Sequence, residues 1–255
     1  MMRVFAIARN TFRESIRDRV LYSLLFFGLI VIVASVVTQE VTIGDSDKVV
    51  RSVGLGSIRL FGSVFAIFLG IGLVYKELER KTIYTIASKP IARWMFIVGK
   101  YLGLMAVMAV MVLAMGTIYT MVLAWQQGLP SGGVFVSLGM MYVELGLLTA
   151  WALLFSSYSS PIVASLFSAS VLIIGNLADD VKLFGGQADS ESVRQLSEVV
   201  YWAIPNFSVL NVTDLAVHGL PIEPARVGWS VAYGLGYIVA VLAASTLVFE
   251  RRDFK

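Results

Sequence analysis

The 255-residue chain is 58% hydrophobic and only 15% charged, with a mean hydropathy of +0.81, a profile that excludes an ordinary soluble domain. Its net charge of +3 is modest and gathered in a few segments, which speaks for membrane topology and against nucleic acid as a partner. There is no cysteine, so disulfides, thiolate metal sites and cysteine nucleophiles are all excluded.

At the N-terminus Phe5, Ala8, Phe12 and Ile16 recur at helical spacing, while Arg9, Arg13, Arg17 and Asp18 fall largely elsewhere on the wheel. The pattern predicts an interfacial helix over residues 1–19 lying along the headgroups; a plain basic flank that only sets topology is the compatible alternative. Six apolar runs follow. They predict transmembrane spans over 20–38, 57–75, 96–125, 134–155, 161–177 and 229–249, and hence an all-α integral membrane protein with one membrane domain over 1–255. The first run exceeds a usual signal-peptide core and reads as an uncleaved span. The third is longer than a bilayer requires and should tilt or project, whereas the fifth is short.

Basic residues divide unevenly between the two sides that these spans define. Arg3, Arg9, Arg13, Arg17, Arg19, Lys76, Arg80, Lys81, Lys89, Arg93, Lys100, Arg251, Arg252 and Lys255 fall on one side. Lys48, Arg51, Arg59, Lys182, Arg194 and Arg226 fall on the other, a split of 14 against 6 that puts both termini in the cytoplasm.

Within the second run, Gly62, Ala66 and Gly70 repeat every fourth residue, and Gly99 with Gly103 does so at the start of the third. Such faces let helices approach closely, either within the subunit or at a seam between two subunits. Between these runs, residues 76–95 mix charge with helical periodicity. Leu78, Thr82, Ile83 and Ile86 share one side, with Glu77, Arg80 and Lys81 turned elsewhere, until Ser88, Lys89 and Pro90 stop the helix. A short amphipathic helix on the cytoplasmic side is a docking element; a solvated charged loop is the plainer reading.

Glu144 lies about midway along the fourth run, where an ionised carboxylate needs a partner or water. It is either a candidate for the translocation path or a hydrogen-bonded packing contact. The Ser-rich turn at 156–160 ahead of Pro161 suits a tight helical hairpin. The long loop over 178–228 combines a polar, helix-prone piece at 189–202 with an aromatic, Pro-broken piece at 204–215. An outer helical cap or half-inserted helix near 199–210, open to an external partner, stands beside a solvated linker with aromatic anchors.

Three stretches resemble the type-2 ABC permeases, particularly the branch that includes the permease for maturation of the copper enzyme nitrous-oxide reductase. They are ARNTFRESIRDRVLYSLL at 8–25, ELERKTIYTIASKPIARWMFIVGKYLG at 77–103 and YWAIPNFSVLNVTD at 201–214. The resemblance runs over essentially the whole chain, and its middle stretch is the most specific. It implies a non-catalytic subunit of an exporter in a bacterial or archaeal cytoplasmic membrane. That subunit would pair with a second permease copy, as a homodimer, and with cytoplasmic ATPase subunits that bind the ATP and magnesium. The helix over 77–87 would match the coupling helix, with Glu79, Arg80 and Thr82 on the family's acidic, basic and Thr positions and Lys89, Pro90 and Arg93 in the following turn. Phe12, Arg13 and Arg17 would lie in the N-terminal elbow helix.

Other chemistry lacks its residues. No Gly-rich phosphate loop ending in Lys and Ser or Thr is present, so ATP would be hydrolysed elsewhere. A single histidine, His218, and no thiols predict no metal site. Ser156 to Ser160 have no histidine nearby to activate a nucleophile. Two rivals to a transporter subunit remain: a membrane scaffold or assembly factor, and a gradient-driven carrier, which would need paired intramembrane charges.

Overall fold

In lipid a backbone must satisfy its own amides, and these apolar runs do so as helices. The computed structural model describes residues 2–41, 46–79, 92–188 and 190–251, and every regular element among them is helical. In chain order these are α1 (Met2–Ser15), α2 (Arg19–Val41), α3 (Ser46–Glu79), α4 (Arg93–Gln127), α5 (Gly132–Ser156), α6 (Pro161–Asn176), α7 (Ala178–Gly186) and α8 (Glu191–Ala203). A 3-10 turn (Phe207–Leu210), α9 (Thr213–Val217) and α10 (Pro224–Arg251) follow.

Five helices, α2, α3, α4, α5 and α10, are long and apolar enough to cross a membrane. The fifth apolar run behaves differently. Helix α6 has 16 residues, about 24 Å of rise against the ~30 Å of a hydrocarbon core. It breaks at Leu177, and α7 leaves at 63°; the bent pair forms a sixth crossing only if it counts as one span.

α5 is the hub of the bundle, packed against α3, α4, α6 and α10, whereas α2 and α10 stand at the rim with exposed apolar faces. The core between α3, α4 and α5 includes Phe65, Tyr119, Leu145, Leu148 and a methionine stripe on α4 at Met105, Met108, Met111 and Met115. Unbranched thioether side chains fill irregular gaps and repack at low cost, which suits the uneven seam between these helices.

Local chemistry sets the breaks. Gly128 ends α4 at φ 85°, a conformation that glycine adopts without strain. Pro161 opens α6 at its first turn, as its missing N–H allows, so the Ser-rich turn at 156–160 does join two antiparallel helices. Ile204, held extended ahead of Pro205, closes α8. That proline overturns the expectation of one helical element near 199–210: α8 stops at Ala203, and only the separate 3-10 turn resumes at Phe207.

Two further expectations are corrected. α3 starts eleven residues before the predicted span at 57, because a hydropathy run registers only the apolar part of a helix whose first turns carry Asp47, Lys48 and Arg51. Arg59, near the edge of the predicted span, therefore lies well inside a helix of the bundle. The N-terminal helix ends at Ser15, with a turn at 16–18, so Arg17 lies outside it. Its buried side also differs from the predicted stripe. Thr11 and Ser15 are buried and Val4, Ile7 and Ala8 partly so, while Phe5 is 71% exposed. Small residues face α4 because α1 lies very close to it, and that closeness leaves Phe5 outside.

Candidate functional site

Polar side chains converge where α3, α5 and α6 meet. Glu144, buried to 2% side-chain exposure, receives three hydrogen bonds from the Arg59 guanidinium: Nε to Oε1 at 3.0 Å, Nε to Oε2 at 3.1 Å and Nη2 to Oε1 at 2.8 Å. Arg59 Nη2 also donates to Asn176 Oδ1 at 2.5 Å. This is the partner that an intramembrane carboxylate requires. The planar guanidinium fork meets both carboxylate oxygens at once, a geometry that an ammonium could not reproduce. Arg59 keeps 23% of its side chain exposed, so the ion pair sits at the edge of accessible space and is not sealed within the core.

Asn176, the last residue of α6, extends the cluster. Its Nδ2 donates to the Leu172 carbonyl at 2.8 Å, and its own carbonyl accepts from Ser208 Oγ at 2.9 Å. Asn206 then gathers the next layer: its Oδ1 accepts from the Ser208 N–H at 2.9 Å, its Nδ2 donates to Asp179 at 2.6 Å, and its N–H donates to Tyr233 OH at 2.8 Å. Gly175 makes this possible, because a Cβ there would lie 2.6 Å from the Pro205 carbonyl and push the 205–208 segment away. One connected set of hydrogen bonds thus ties α3, α5, α6, α7, the 3-10 turn and α10.

Of the residues singled out in the sequence, Glu144 is central to this cluster. Arg59, within the predicted span over 57–75, was counted only among the charges of the non-cytoplasmic side, and Asn176 and Asn206 were not singled out. A second charge of opposite sign inside another predicted span was the one signal that could have found Arg59. The glycine faces pack within the chain. Gly62 faces Leu145 and Met111, Ala66 is buried, and a Cβ on Gly70 would lie 2.6 Å from the Ala152 Cβ, so α3 lies close against α5. Gly99 and Gly103 receive α1, and a Cβ on Gly103 would lie 2.6 Å from the Ala8 carbonyl. Phe12 is half-buried against the core, and Arg13 and Arg17 are exposed.

The coupling segment is mostly outside the described residues. Glu77 and Glu79 end α3, and Arg80, Lys81, Thr82, Ile83, Ile86 and Lys89 lie outside the described residues. Arg93, at the start of α4, donates from Nη1 to the Phe249 carbonyl near the end of α10 at 2.9 Å. Phe96 stacks on Phe249 beside it, with ring centroids 5.6 Å apart. His218 is exposed, with Nδ1 2.9 Å from the Asp214 carbonyl oxygen, and no group of three acids or histidines able to hold a metal occurs among the described residues.

A bundle of five or six apolar helices around a buried ion pair defines a multi-pass membrane protein. Residues 5–254 match the family described as ABC-2 family transporter protein, and the chain belongs to that family, a membrane component of ABC transporters. Comparison with curated proteins gives no match.

Proposed function

We propose that this chain is the permease subunit of an ATP-driven ABC exporter in a bacterial or archaeal cytoplasmic membrane, working as a homodimer with separate ATPase subunits. The family match carries the reading, because an ABC-2 component implies an ATPase partner. In this reading both termini face the cytoplasm, α6 and α7 count as one bent sixth crossing, and the loop helix at 77–87 docks on the ATPase. ATP and magnesium are bound by that partner. In motif the chain resembles the branch that includes the permease for nitrous-oxide reductase maturation.

The geometry supports a mechanical role for this segment. α3 and α4 pack together and flank residues 80–91, and Arg93 joins the start of α4 to the end of α10. A push on the segment therefore reaches three helices. Movement of α3 against α5 passes through Gly62 and Gly70 and through the Arg59–Glu144 pair, which lies on the translocation path in this reading. The methionines of α4 accommodate the shift. The test is co-purification with the ATPase, then ATP turnover in lipid. Glu79→Ala and Arg80→Ala should lower permease-stimulated turnover at least fivefold while the complex still assembles. Unchanged turnover, or the absence of any ATPase partner, would overturn the proposal.

One observation favours a second reading. A gradient-driven carrier requires paired intramembrane charges, and Arg59 with Glu144 is such a pair. Uptake or efflux in proteoliposomes that follows an imposed proton gradient without ATP would select it.

A further inference from the structure

A groove of about 660 Å³ runs between α1 and α4, lined by Val4, Phe5, Ala8, Phe12, Leu102 and Ala106, with Arg9 and Trp94 at its polar parts. At Gly103 the α1 backbone lies close against α4, and Phe5 and Phe12 line the groove beside that contact. Phe5 is 71% exposed and Leu102 and Trp94 about half exposed. Arg9 and, one helical turn later, Arg13 are exposed and make no hydrogen bond or ion pair among the described residues. Among the described residues, no acidic side chain lines the groove.

We infer that this groove binds one anionic phospholipid, its phosphate held by Arg9 and Arg13 and an acyl chain lying over Phe5, Leu102 and Ala106. The inference rests on the chain being a membrane protein, but on neither the ATPase coupling nor the direction of transport. Charge complementarity selects the occupant. The Arg9 guanidinium in the wall of an apolar channel, with that of Arg13 one helical turn beyond it and neither paired among the described residues, matches a ligand that joins an oxyanion to a hydrocarbon tail, and arginine forks fit phosphate oxygens in pairs. An amphipathic helix rich in arginine binds at a lipid surface by the same two contributions, apolar area and attraction to anionic headgroups. Trp94, half exposed in the same wall, adds an amphipathic ring of the kind that sits at membrane interfaces. A zwitterionic lipid would fill the channel but would bring its own cation against the arginines.

The test is native mass spectrometry of the purified full chain, titrated with phosphatidylglycerol and with phosphatidylcholine of identical acyl chains. The expected result is roughly tenfold tighter binding of phosphatidylglycerol, a preference that collapses at high salt. Arg9→Gln with Arg13→Gln should abolish the preference and spare phosphatidylcholine binding, and the double lysine variant should retain part of it. Ala106→Phe, at an exposed position, should reduce retention of both lipids. Equal affinity for the two lipids in the wild-type chain, or a glutamine variant that still prefers phosphatidylglycerol, overturns the assignment. So does a chain that is dimeric without lipid and dissociated by Ala106→Phe, since a second copy would then fill the groove. If the glutamine pair does not fold, the wild-type lipid preference and its salt dependence decide alone. Membrane fractionation of the wild-type chain, scored in parallel, separates a failed lipid site from a failed membrane assignment.

Discussion

The molecule treats arginine in two opposite ways. Inside the bundle, Arg59 is matched by Glu144 and Asn176, and further hydrogen bonds carry the cluster to α7 and α10. On α1, Arg9 and Arg13 have no matching acid within the described structure. The difference follows from what surrounds each site. In the bundle the Glu144 carboxylate has almost no contact with water or headgroups, so the protein supplies its counter-ion itself. At the rim the environment can supply it, and the protein leaves the cation open.

The sharpest way to break that comparison is to take one member from the closed site. Arg59→Met leaves the Glu144 carboxylate buried without a partner and should destabilise the chain by about 3–5 kcal/mol. Arg59→Met combined with Glu144→Leu should cost far less, because an apolar pair of similar volume carries no desolvation penalty. Thermal unfolding in detergent, followed for both single variants and the double variant, measures the coupling as a double-mutant cycle. Additive losses would mean that the pair contributes no mutual stabilisation.

How much of this was legible in the sequence depends on the length scale of each signal. The apolar runs located every long helix, since some twenty consecutive apolar residues have few other uses. The run at 161–177 marked an apolar helix but not its bend, because Gly175 and Asn176 read simply as the end of a span and the 205–208 segment that packs on Gly175 is distant in sequence. Glu144 stood out as an isolated charge. Arg59 did not, since it is 85 residues away and its neighbourhood also reads as a basic flank. The face of α1 was misplaced because the seam to α4 selects small side chains, whereas a hydropathy wheel follows large ones.

A smaller effect probes the seam along which the closed site is aligned. At Gly70 a side chain would meet Ala152, so Gly70→Val should overpack the α3–α5 contact and cost about 1–3 kcal/mol. Gly72→Val on the same helix meets nothing within 4 Å and serves as the control. If the two variants unfold at the same temperature, close approach of α3 and α5 is not what Gly70 provides.

The smallest effect lies where the surroundings can replace the partner. On α8, Arg194 bridges Glu191 at 2.8 Å, three residues away, with both side chains more than half exposed. The distance matches that of the Arg59–Glu144 pair, yet Arg194→Ala should change stability by less than about 0.5 kcal/mol, because water solvates whichever charge is left. The same unfolding assay checks it. A loss approaching that of Arg59→Met would mean that bond length, and not surroundings, governs these pairs. The contrast between the bundle interior and its rim would then no longer explain why one arginine has a partner and the others stand open.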